Sequence, residues 1–544
     1  MSQVEQLIQP TGAQSTAQYD AVVVGAGFAG MYALYRLREA GLTVRAFETG
    51  DGVGGTWYWN CYPGARVDVQ SLSYSYSFSS ELQQEWCWPE TFSSQPELLK
   101  YANHVADRFD LKRDIQFETT VNGAQYDEPA KRWRISTDRG DVVSARFLVT
   151  GAGCLSATNV PDFKGIESFG GQWYHTSRWP KEGVDLAGKR VGVIGTGSTG
   201  IQAVPVIAEE AAHLYVFQRT PNYSLPTGNR PMDPEHEREW KANYDLHREL
   251  DRSAYAARHV PAPDRSALVT SPEERERAFE SAWGEGAFAM MLTFKDLRTS
   301  REANEMAAEF VREKIRGIVK DPAVAELLCP KDYPIGTKRL CLDSHYFETF
   351  NRDNVTLVDV KTHPIEEITP TGVRTAKESY DLDVLVFATG FDAMTGPLLR
   401  MNITGRDGLR LNEKWEHGPR TYLGIATAGF PNMFMITGPG SPSVLASMIT
   451  AIEQHVDWIA DAIVHLDKAD LEVMEASPEA EDRWVEHVNE VADQTLYRFA
   501  NSWYLGANIP GKPRVFMPYV GGFNVYRDKC DEVAANDYEG FTFS

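Results

Sequence analysis

The chain has 544 residues, of which 42% are hydrophobic, and carries a formal net charge of −22. This length accommodates two or three domains with substantial cores. The acidic balance argues against nucleic acid or an anionic membrane surface as a partner, because either would need a basic face. An anionic cofactor would therefore have to be held by local basic residues against the overall field.

The six cysteines are few for so long a chain, and none forms a C-x-x-C motif. They predict no disulfide framework, so we expect a reducing, cytoplasmic environment. We also expect no metal site, no obligatory protein partner and no membrane insertion, since no apolar run approaches the ~18–20 residues that span a bilayer. The N-terminus lacks the pattern of a signal peptide, and residues 1–18 are predicted to be a flexible lead-in.

Residues 19–48 have the pattern of a strand–helix–strand unit. The apolar run YDAVVVG at residues 19–25 predicts a buried parallel strand. Residues 28–40 show helical spacing and stop at Gly41, and residues 43–48 (TVRAFE) predict the second strand. This order predicts a βαβ unit that opens on a glycine-rich turn.

The same arrangement recurs at residues 189–218. Residues 189–195 (KRVGVIG) predict a strand, residues 198–210 a helix that Pro205 should kink, and residues 213–218 (HLYVFQ) the next strand. Two such units predict an α/β fold with two Rossmann-like dinucleotide-binding domains.

Composition shifts between about residues 231 and 329, where the chain becomes charged and helical in pattern. We interpret this stretch as a helical insertion. Strands are predicted to resume at residues 355–358 and 382–387, and a helix at residues 445–466 leads into a tail too rich in large apolar residues to be disordered.

The first glycine-rich turn fits G-x-G-x-x-G with Gly25, Gly27 and Gly30. These glycines permit a tight turn, close approach to a pyrophosphate and close helix–strand packing, with Ala29 in the first helical turn. Glu48 lies at the end of the second strand, where a carboxylate can accept hydrogen bonds from ribose hydroxyls. The unit therefore predicts a dinucleotide site, against the alternative of a glycine-rich turn without a ligand.

Two features favour FAD over NAD at this first site. The unit lies near the start of the chain, and it is followed by the segment GGTWYWN. Glycines let backbone approach a ligand, and aromatic rings could wall an isoalloxazine, although core packing is an equal alternative for the tryptophans. The residues of this segment taken as FAD contacts are Gly55, Thr56, Trp57, Tyr58 and Trp59.

The second turn repeats the motif but ends differently. Its glycines and the residues between them are Gly195, Thr196, Gly197, Ser198, Thr199 and Gly200, and the following strand ends at Arg219 and Thr220. A carboxylate at that strand end would repel a 2′-phosphate, whereas an arginine can clamp it. The second unit therefore predicts NADPH rather than NADH, the alternative being an arginine that merely extends into solvent.

Two further strings lie outside the glycine-rich units. Phe169-x-Gly171-x-x-x-His175-x-x-x-Trp179-Pro180 and FATGFD at residues 387–392 resemble fingerprints of the type I Baeyer–Villiger monooxygenases. WYWN at 57–60, YPGARVD at 62–68 and GTKRL at 336–340 add to the likeness, which covers nearly the whole chain after the lead-in. The segment GPGSPSVL at 438–445 is more similar to the phenylacetone and steroid branch than to the cyclohexanone monooxygenases.

The resemblance implies a reaction and its central residues. NADPH reduces FAD, O₂ gives a flavin C4a-peroxide, and this converts a ketone to an ester or lactone. The family's essential arginine corresponds to Arg339, the carboxylate beside it to Asp68, and a second contact to the 2′-phosphate to Lys338. A permanent cation suits this chemistry because negative charge develops on the reacting oxygens. Without the family match, the pair Lys338–Arg339 would be interpreted as a solvated loop.

Other positions carry over from the resemblance. His175 is expected to couple the linker to domain motion and has no catalytic role. Cys61 stands where many members have arginine, so a local charge contact is missing. The further predicted cofactor contacts are Arg66, Val67, Asp68, Tyr74, Val121, Arg339, Met448 and Trp503. The predicted substrate pocket comprises Ser443, Val444, Leu445 and Met448.

Three rival functions share part of this pattern. A flavin monooxygenase acting on amine or sulfide heteroatoms would not need Arg339 to stabilise an oxyanion, although sulfoxidation is a conceivable side activity here. A pyridine-nucleotide disulfide reductase would need C-x-x-C. A non-catalytic flavin-binding protein would leave the second nucleotide site unexplained.

The predicted organisation is discontinuous. An FAD domain comprises residues 1–155 and 385–544, and an NADPH domain comprises residues 156–230 and 331–384. The helical insertion spans residues 231–330. Linkers at about 155 and 385 suggest that the domains rotate relative to each other. Ketone and O₂ are the expected partners, and which ketone is left open.

Overall fold

The computed structural model describes residues 17–260 and 263–544. Its strands, labelled β1 to β20 in chain order, are Ala17–Val24, Val44–Phe47, Ile115–Gln116, Val121–Asp127, Arg132–Thr137, Val142–Thr150, Gln172–His175, Arg190–Ile194, His213–Gln218, Ser224–Pro226, Cys341–Asp343, Val355–Asp359, Ile365–Thr369, Gly372–Thr375, Ser379–Asp381, Val384–Phe387, Ile403–Thr404, Met433–Met435, Met474–Ala476 and Phe541–Phe543.

Helices alternate with these strands, as an α/β fold requires. The α-helices, labelled α1 to α17 in chain order, are Phe28–Glu39, Thr56–Trp59, Ser80–Glu85, Gln95–Arg108, Ser198–Glu210, Pro234–Ala242, Tyr244–Arg252, Pro272–Ala282, Ala287–Met291, Arg301–Ile318, Pro322–Leu328, Tyr346–Thr349, Gly396–Leu399, Leu411–Lys414, Met448–Lys468, Pro478–Asp493 and Phe523–Ala535.

The first sheet has the order β17-β4-β5-β6-β1-β2-β3, and β18 also pairs with β6. Its centre, where β1 pairs with β2 and β6, is parallel, and β4 to β6 form an antiparallel meander. Strand β1 begins at Ala17, two residues earlier than predicted, because Ala17 and Gln18 pair with Val143 and Ser144. The rest of the predicted lead-in, residues 1–16, lies outside the described residues.

The second sheet is parallel throughout, with the order β12-β9-β8-β16-β7. It carries the second βαβ unit, and α5 spans the predicted residues, continuing past Pro205 without a break. All four residues of β16 pair in this sheet. The boundary predicted between residues 384 and 385 therefore falls inside this strand.

Between residues 231 and 329 the described residues form the helices α6 to α11 and no strand, which agrees with the predicted helical insertion. This region is not an independent unit. Ala307, Val311 and Ile315 of α10 share one buried cluster with Val204 and Ile207 of α5. The insertion therefore shares the buried core of the second βαβ unit.

The long C-terminal part returns to the first sheet. Helix α15 packs against α1 through buried residues that include Ile452, Val456 and Ile463. It begins at Met448 rather than at residue 445, because Ser443–Leu445 form a short 3₁₀ turn in front of it. Over the two described stretches, no helix has both the length and the apolar character needed to cross a membrane.

Candidate functional site

The first glycine-rich turn joins β1 to α1 and admits no side chains at its two outer glycines. Gly25 has a φ of +97°, and a Cβ at Gly30 would lie 1.8 Å from the Gly25 carbonyl oxygen. Gly27 packs against Gly55, whose Cα is 3.2 Å from the position of a Cβ on residue 27. The backbone is thus left bare where the α1 N-terminus presents its free N–H groups, which suits an anionic pyrophosphate.

Glu48 follows β2 and closes this turn. It is 6% exposed, and its two carboxylate oxygens accept hydrogen bonds from the backbone N–H groups of Ala26 and Gly50, each at 2.7 Å. A carboxylate has about four acceptor positions. Glu48 can therefore hold the turn and still accept hydrogen bonds from ribose hydroxyls.

The aromatic residues after this turn divide into two groups. The indole N–H of Trp57 donates to the Tyr74 hydroxyl at 3.1 Å, and burial raises the pKa of Tyr74 to about 12. Tyr58 and Trp59 instead contact cations of the segment between β7 and β8, and the Lys181 ammonium lies 4.0 Å from the centre of the Tyr58 ring. The Arg178 guanidinium lies 4.1 Å from the centre of the Trp59 ring, and a cation in that position is attracted to the face of the ring.

Three other predicted FAD contacts occupy ordinary backbone positions. Thr56 opens α2, Val121 opens β4, and the N–H of Val67 donates to the Ser93 carbonyl at 3.1 Å. The side chain of Arg66 is already engaged, since its guanidinium donates to Glu90 and to the Phe92 carbonyl. Both of these hydrogen bonds use Nη1, so Nε and Nη2 remain the donors with which the Arg66 side chain could contact a cofactor.

The second glycine-rich turn repeats this construction in the second sheet. A Cβ at Gly195 would lie 2.4 Å from the Ala388 carbonyl oxygen, and one at Gly200 would lie 2.2 Å from the Gly195 carbonyl oxygen. In contrast, a Cβ at Gly197 would meet nothing within 4 Å. The open space at Gly197 faces the N-terminus of α5 and is the place where a pyrophosphate fits.

Arg219 and Lys338 come together at the end of β9, although 119 positions separate them in the chain. Arg219 is exposed, and the Lys338 ammonium lies 4.3 Å from the centre of the Tyr333 ring. Burial, and secondly the charge of Arg219, lower the pKa of Lys338 to about 8. No carboxylate of the described residues forms an ion pair with either cation. Two unpaired neighbouring cations suit a phosphate group.

Arg339 and Asp68 form the ion pair that the sequence predicted. The guanidinium donates to Asp68 Oδ2 from Nε at 2.9 Å and from Nη2 at 2.5 Å, and its Nη1 donates to the Val444 carbonyl at 2.8 Å. Burial works against the charge, but Asp68 outweighs it and holds the pKa of Arg339 above its ordinary value. The cation is therefore permanent and fixed on two sides.

The loop that supplies Val444 carries the predicted substrate residues. Ser443 has a φ of +43°, an unusual value for a residue with a side chain. Its 3₁₀ turn ends at Leu445, and Met448 opens α15. Leu445, Met448 and Trp503 are partly buried around Val444 and Tyr504. The structure therefore brings an apolar surface next to Arg339.

Three residues near the site were not identified from the sequence. Burial raises the pKa of Tyr504 to about 12 against the lowering effect of the neighbouring Arg339. Burial raises the pKa of Cys154, beside Ser443, to about 11. Arg178 is the third. None stands in a pattern that the residues alone distinguish from core or surface, so their positions required the tertiary structure.

His175 ends β7 and contacts the segments that follow β7 and β16. Its Nδ1 is 2.8 Å from the Ser177 hydroxyl oxygen, and its Nε2 is 3.2 Å from the Thr389 hydroxyl oxygen. Burial lowers its pKa to about 4. Nearby, the Cys61 thiol donates to the Trp179 carbonyl at 3.2 Å. His175 therefore links the ends of two neighbouring strands of the second sheet, and it is neutral at ordinary pH.

Comparisons with known proteins agree with this geometry. Residues 19–228 match the family model described as FMO-like, flavin-binding monooxygenase-like. A Baeyer–Villiger monooxygenase of Pseudooceanicola batsensis is 48% identical over 526 residues, which is 96% of each chain. An oxidised steroid monooxygenase bound to NADP is 55% identical with a TM-score of 0.93, and the match covers 97% of this chain and 99% of that one. A closed cyclohexanone monooxygenase structure is 46% identical with a TM-score of 0.95, and the match covers 97% of this chain and 100% of that one.

Proposed function

The chain belongs to the Baeyer–Villiger monooxygenases, and from this premise we propose that Arg339 and Asp68 form its catalytic centre. The enzyme uses FAD, NADPH and O₂ to convert a ketone to an ester or a lactone. The observation that carries the proposal is the fixed, permanent cation of Arg339 beside an apolar surface.

The chain's residues fit both cofactors. FAD suits the first turn because Gly25 and Gly30 leave the backbone bare there, with Glu48 placed to accept from ribose hydroxyls. NADPH suits the second turn because of the open space at Gly197 and the cations Arg219 and Lys338. When bound, the two cofactors supply the reducing equivalents and the activation of oxygen.

Arg339 would act on the reacting ketone. A carbonyl under attack by an oxygen nucleophile develops negative charge on its own oxygen, and a preorganised cation stabilises that charge. Three of the five N–H donors of Arg339 are used by Asp68 and Val444. Two donors are therefore left for the reacting oxygen atoms.

Asp68 would position Arg339 rather than take a proton from the substrate. An isolated guanidinium in this environment would cost several kcal/mol to bury, and the carboxylate offsets that cost. The Val444 carbonyl holds the other side of the guanidinium. Because Val444 belongs to the substrate loop, a shift of that loop would move Arg339 with it.

The apolar surface of Val444, Leu445, Met448 and Trp503 indicates a ketone with an apolar body. The volume of the pocket that this surface lines sets which aliphatic, cyclic, arylalkyl or steroidal ketones enter. An apolar sulfide of similar shape would fit the same surface, so sulfoxidation is part of the proposal as a side activity.

We further propose two discontinuous domains, with residues 156–230 and 331 to about 390 forming the NADPH domain. The end of β16 motivates moving the second boundary to about residue 390. Rotation about the linkers would let the NADPH site approach the FAD site and leave it again. Identical domain orientations in the reduced, oxidised and ligand-bound enzyme would exclude this motion. All six cysteines are free, which supports the proposal of a reducing, cytoplasmic environment.

The decisive experiment compares the wild-type enzyme with Arg339→Ala. We expect the variant to lose ester formation over a panel of ketones while NADPH still reduces its flavin, because the nucleotide turns do not involve Arg339. Rapid-mixing absorbance follows flavin reduction, and gas chromatography with mass spectrometry identifies the ester. Ester formation at the wild-type rate in Arg339→Ala would refute the catalytic role.

A further inference from the structure

A second arginine near the catalytic centre is buried and has no partner among the described residues. Arg258 follows α7 and is 8% exposed. No hydrogen bond or ion pair joins its guanidinium to any of the described residues. A buried guanidinium with unused donors is costly, because each lost contact with water is uncompensated. Such a group is retained when something outside the chain's own side chains binds it.

The backbone fixes Arg258 between two parts of the active site. Two residues before it, the Ala256 carbonyl accepts from the N–H of Ser447 at 2.8 Å, directly after the substrate loop. Its Nη1 lies 4.0 Å from the position of a Cβ on Gly286, beside the Leu342 side chain. Leu342 lies in β11, three positions after Arg339. Arg258 Nη1 and the Leu342 side chain therefore border the same space at Gly286, near the strand that follows the catalytic arginine.

Nearby carboxylates keep Arg258 charged without occupying its donors. Burial lowers the pKa of Arg258, and Asp251, Asp68 and Glu285 act in the opposite direction. Asp251 is itself buried, and its Oδ2 has no hydrogen-bond partner. The two groups nevertheless form no ion pair. The fields of Asp251 and Asp68 thus support a cation whose N–H groups remain available.

We infer that Arg258 forms an anion subsite of the substrate pocket and that it recognises a carboxylate carried by the ketone. This inference rests on the proposed oxygenation of ketones and specifies their class as oxo acids. The guanidinium presents a planar fork that matches a carboxylate in a bidentate way. Arg339 is assigned to the reacting carbonyl, because Asp68 and Val444 take three of its five donors and leave two for the reacting oxygen atoms.

The two arginines then divide the substrate between them. Arg339 faces the reacting carbonyl, the apolar surface around Val444 holds the methylene chain, and Arg258 holds the carboxylate at the other end. A neutral ketone would leave Arg258 unpaired and gain nothing from it. The subsite therefore predicts that the enzyme prefers oxo acids to neutral ketones, and that this preference depends on the distance between the carbonyl and the carboxylate of the substrate.

The test uses oxo acids from 5-oxohexanoate to 8-oxononanoate, each matched to the methyl ketone of the same length. We measure kcat/KM for ester formation with the FAD-loaded wild-type enzyme and with Arg258→Leu and Arg258→Lys. Arg265→Leu is the matched control, since Arg265 lies in the same insertion with a side chain that is 55% exposed. All four proteins are compared at one ionic strength.

We expect at least one oxo acid to exceed its neutral match in the wild-type enzyme. Arg258→Leu should reduce that preference, expressed as the ratio of kcat/KM for the oxo acid to kcat/KM for its neutral match, about tenfold to a hundredfold, which is typical of a charge-assisted hydrogen bond. Arg258→Lys should keep part of the preference, and Arg265→Leu should keep all of it.

Two results would overturn the subsite while leaving the oxygenation intact. One is a wild-type enzyme that turns over neutral ketones and prefers no oxo acid. The other is a preference that survives in Arg258→Leu. If Arg258→Leu does not fold, Arg258→Lys and the wild-type chain-length profile decide the question. If no ketone of either kind is oxygenated, the proposed function fails and the subsite fails with it.

Discussion

The cation pair at the second nucleotide turn gives a prediction that can be worked out from the structure. Replacing Arg219 by alanine removes one of the two cations that no described carboxylate neutralises. A charge-assisted hydrogen bond contributes about 1.5–3 kcal/mol, or about tenfold to 150-fold in binding. Arg219 is exposed, so solvent and salt screen it, and we expect the lower end of this range, about tenfold.

The expected change is specific to NADPH. Arg219→Ala should raise the KM for NADPH about tenfold and leave that for NADH nearly unchanged, because NADH lacks the 2′-phosphate. Anaerobic stopped-flow measurement of flavin reduction separates this binding effect from oxygenation. Arg352→Ala, an exposed arginine that follows α12, is the control. An equal rise for both nucleotides would refute the 2′-phosphate assignment.

Lys338 adds a pH dependence to the same site. Its pKa of about 8 means that it is charged below pH 8 and loses its charge as the pH rises through that value. The 2′-phosphate is a dianion above about pH 6. Affinity for NADPH should therefore be highest between about pH 6 and 8 and decline above pH 8. Lys338→Arg, whose charge persists, should abolish the decline. An unchanged decline in that variant would assign it to another group.

Three further predictions concern the rest of the site. Asp68→Asn should lower kcat about tenfold or more, with little effect on NADPH-dependent flavin reduction, because Arg339 loses the charge that positions it. Single-turnover measurements separate flavin reduction from ester formation. Gly197→Ala should raise the KM for NADPH without changing the melting temperature, since a Cβ there meets nothing within 4 Å. Gly200→Ala should instead destabilise the fold, because its Cβ would lie 2.2 Å from a carbonyl oxygen. Equal melting temperatures of the two variants would contradict this reasoning. His175 and His455 have pKa values lowered by burial to about 4 from 6.5, so both stabilise the fold above pH 6.5 and this stabilisation is lost as the pH falls towards 4. A melting profile over that range should flatten in His455→Asn, with each histidine contributing about 1.4 kcal/mol per pH unit.

The features that the sequence determined are those encoded in consecutive residues. The two glycine-rich turns were recognised because a side chain at Gly30 or Gly200 would meet a carbonyl oxygen of its own turn. The residue that ends the second strand of each unit, Glu48 or Arg219, distinguished the two nucleotides by its charge. The steric and electrostatic reasons for these predictions act over a few tens of residues, so the chain order alone exposes them.

The predictions that failed or shifted concern element boundaries. Strand β1 extends two residues further towards the N-terminus than predicted, because pairing with β6 continues there. Helix α15 starts at Met448, because a 3₁₀ turn takes up the preceding residues. Neither pairing with a distant strand nor a local turn in front of a helix is visible in hydrophobic periodicity.

Only the tertiary structure decided which side chains meet. Asp68 and Arg339 lie 271 positions apart, and the family resemblance named both residues but gave no geometry for their contact. The structure also showed that Arg66 is engaged by Glu90 and that Arg258 is buried with no partner in the part of the chain that the structure describes. Contacts between sheets and insertions depend on how whole layers pack. Such packing is a property of the folded chain, whereas a turn, a strand end and a charge belong to a short stretch of sequence.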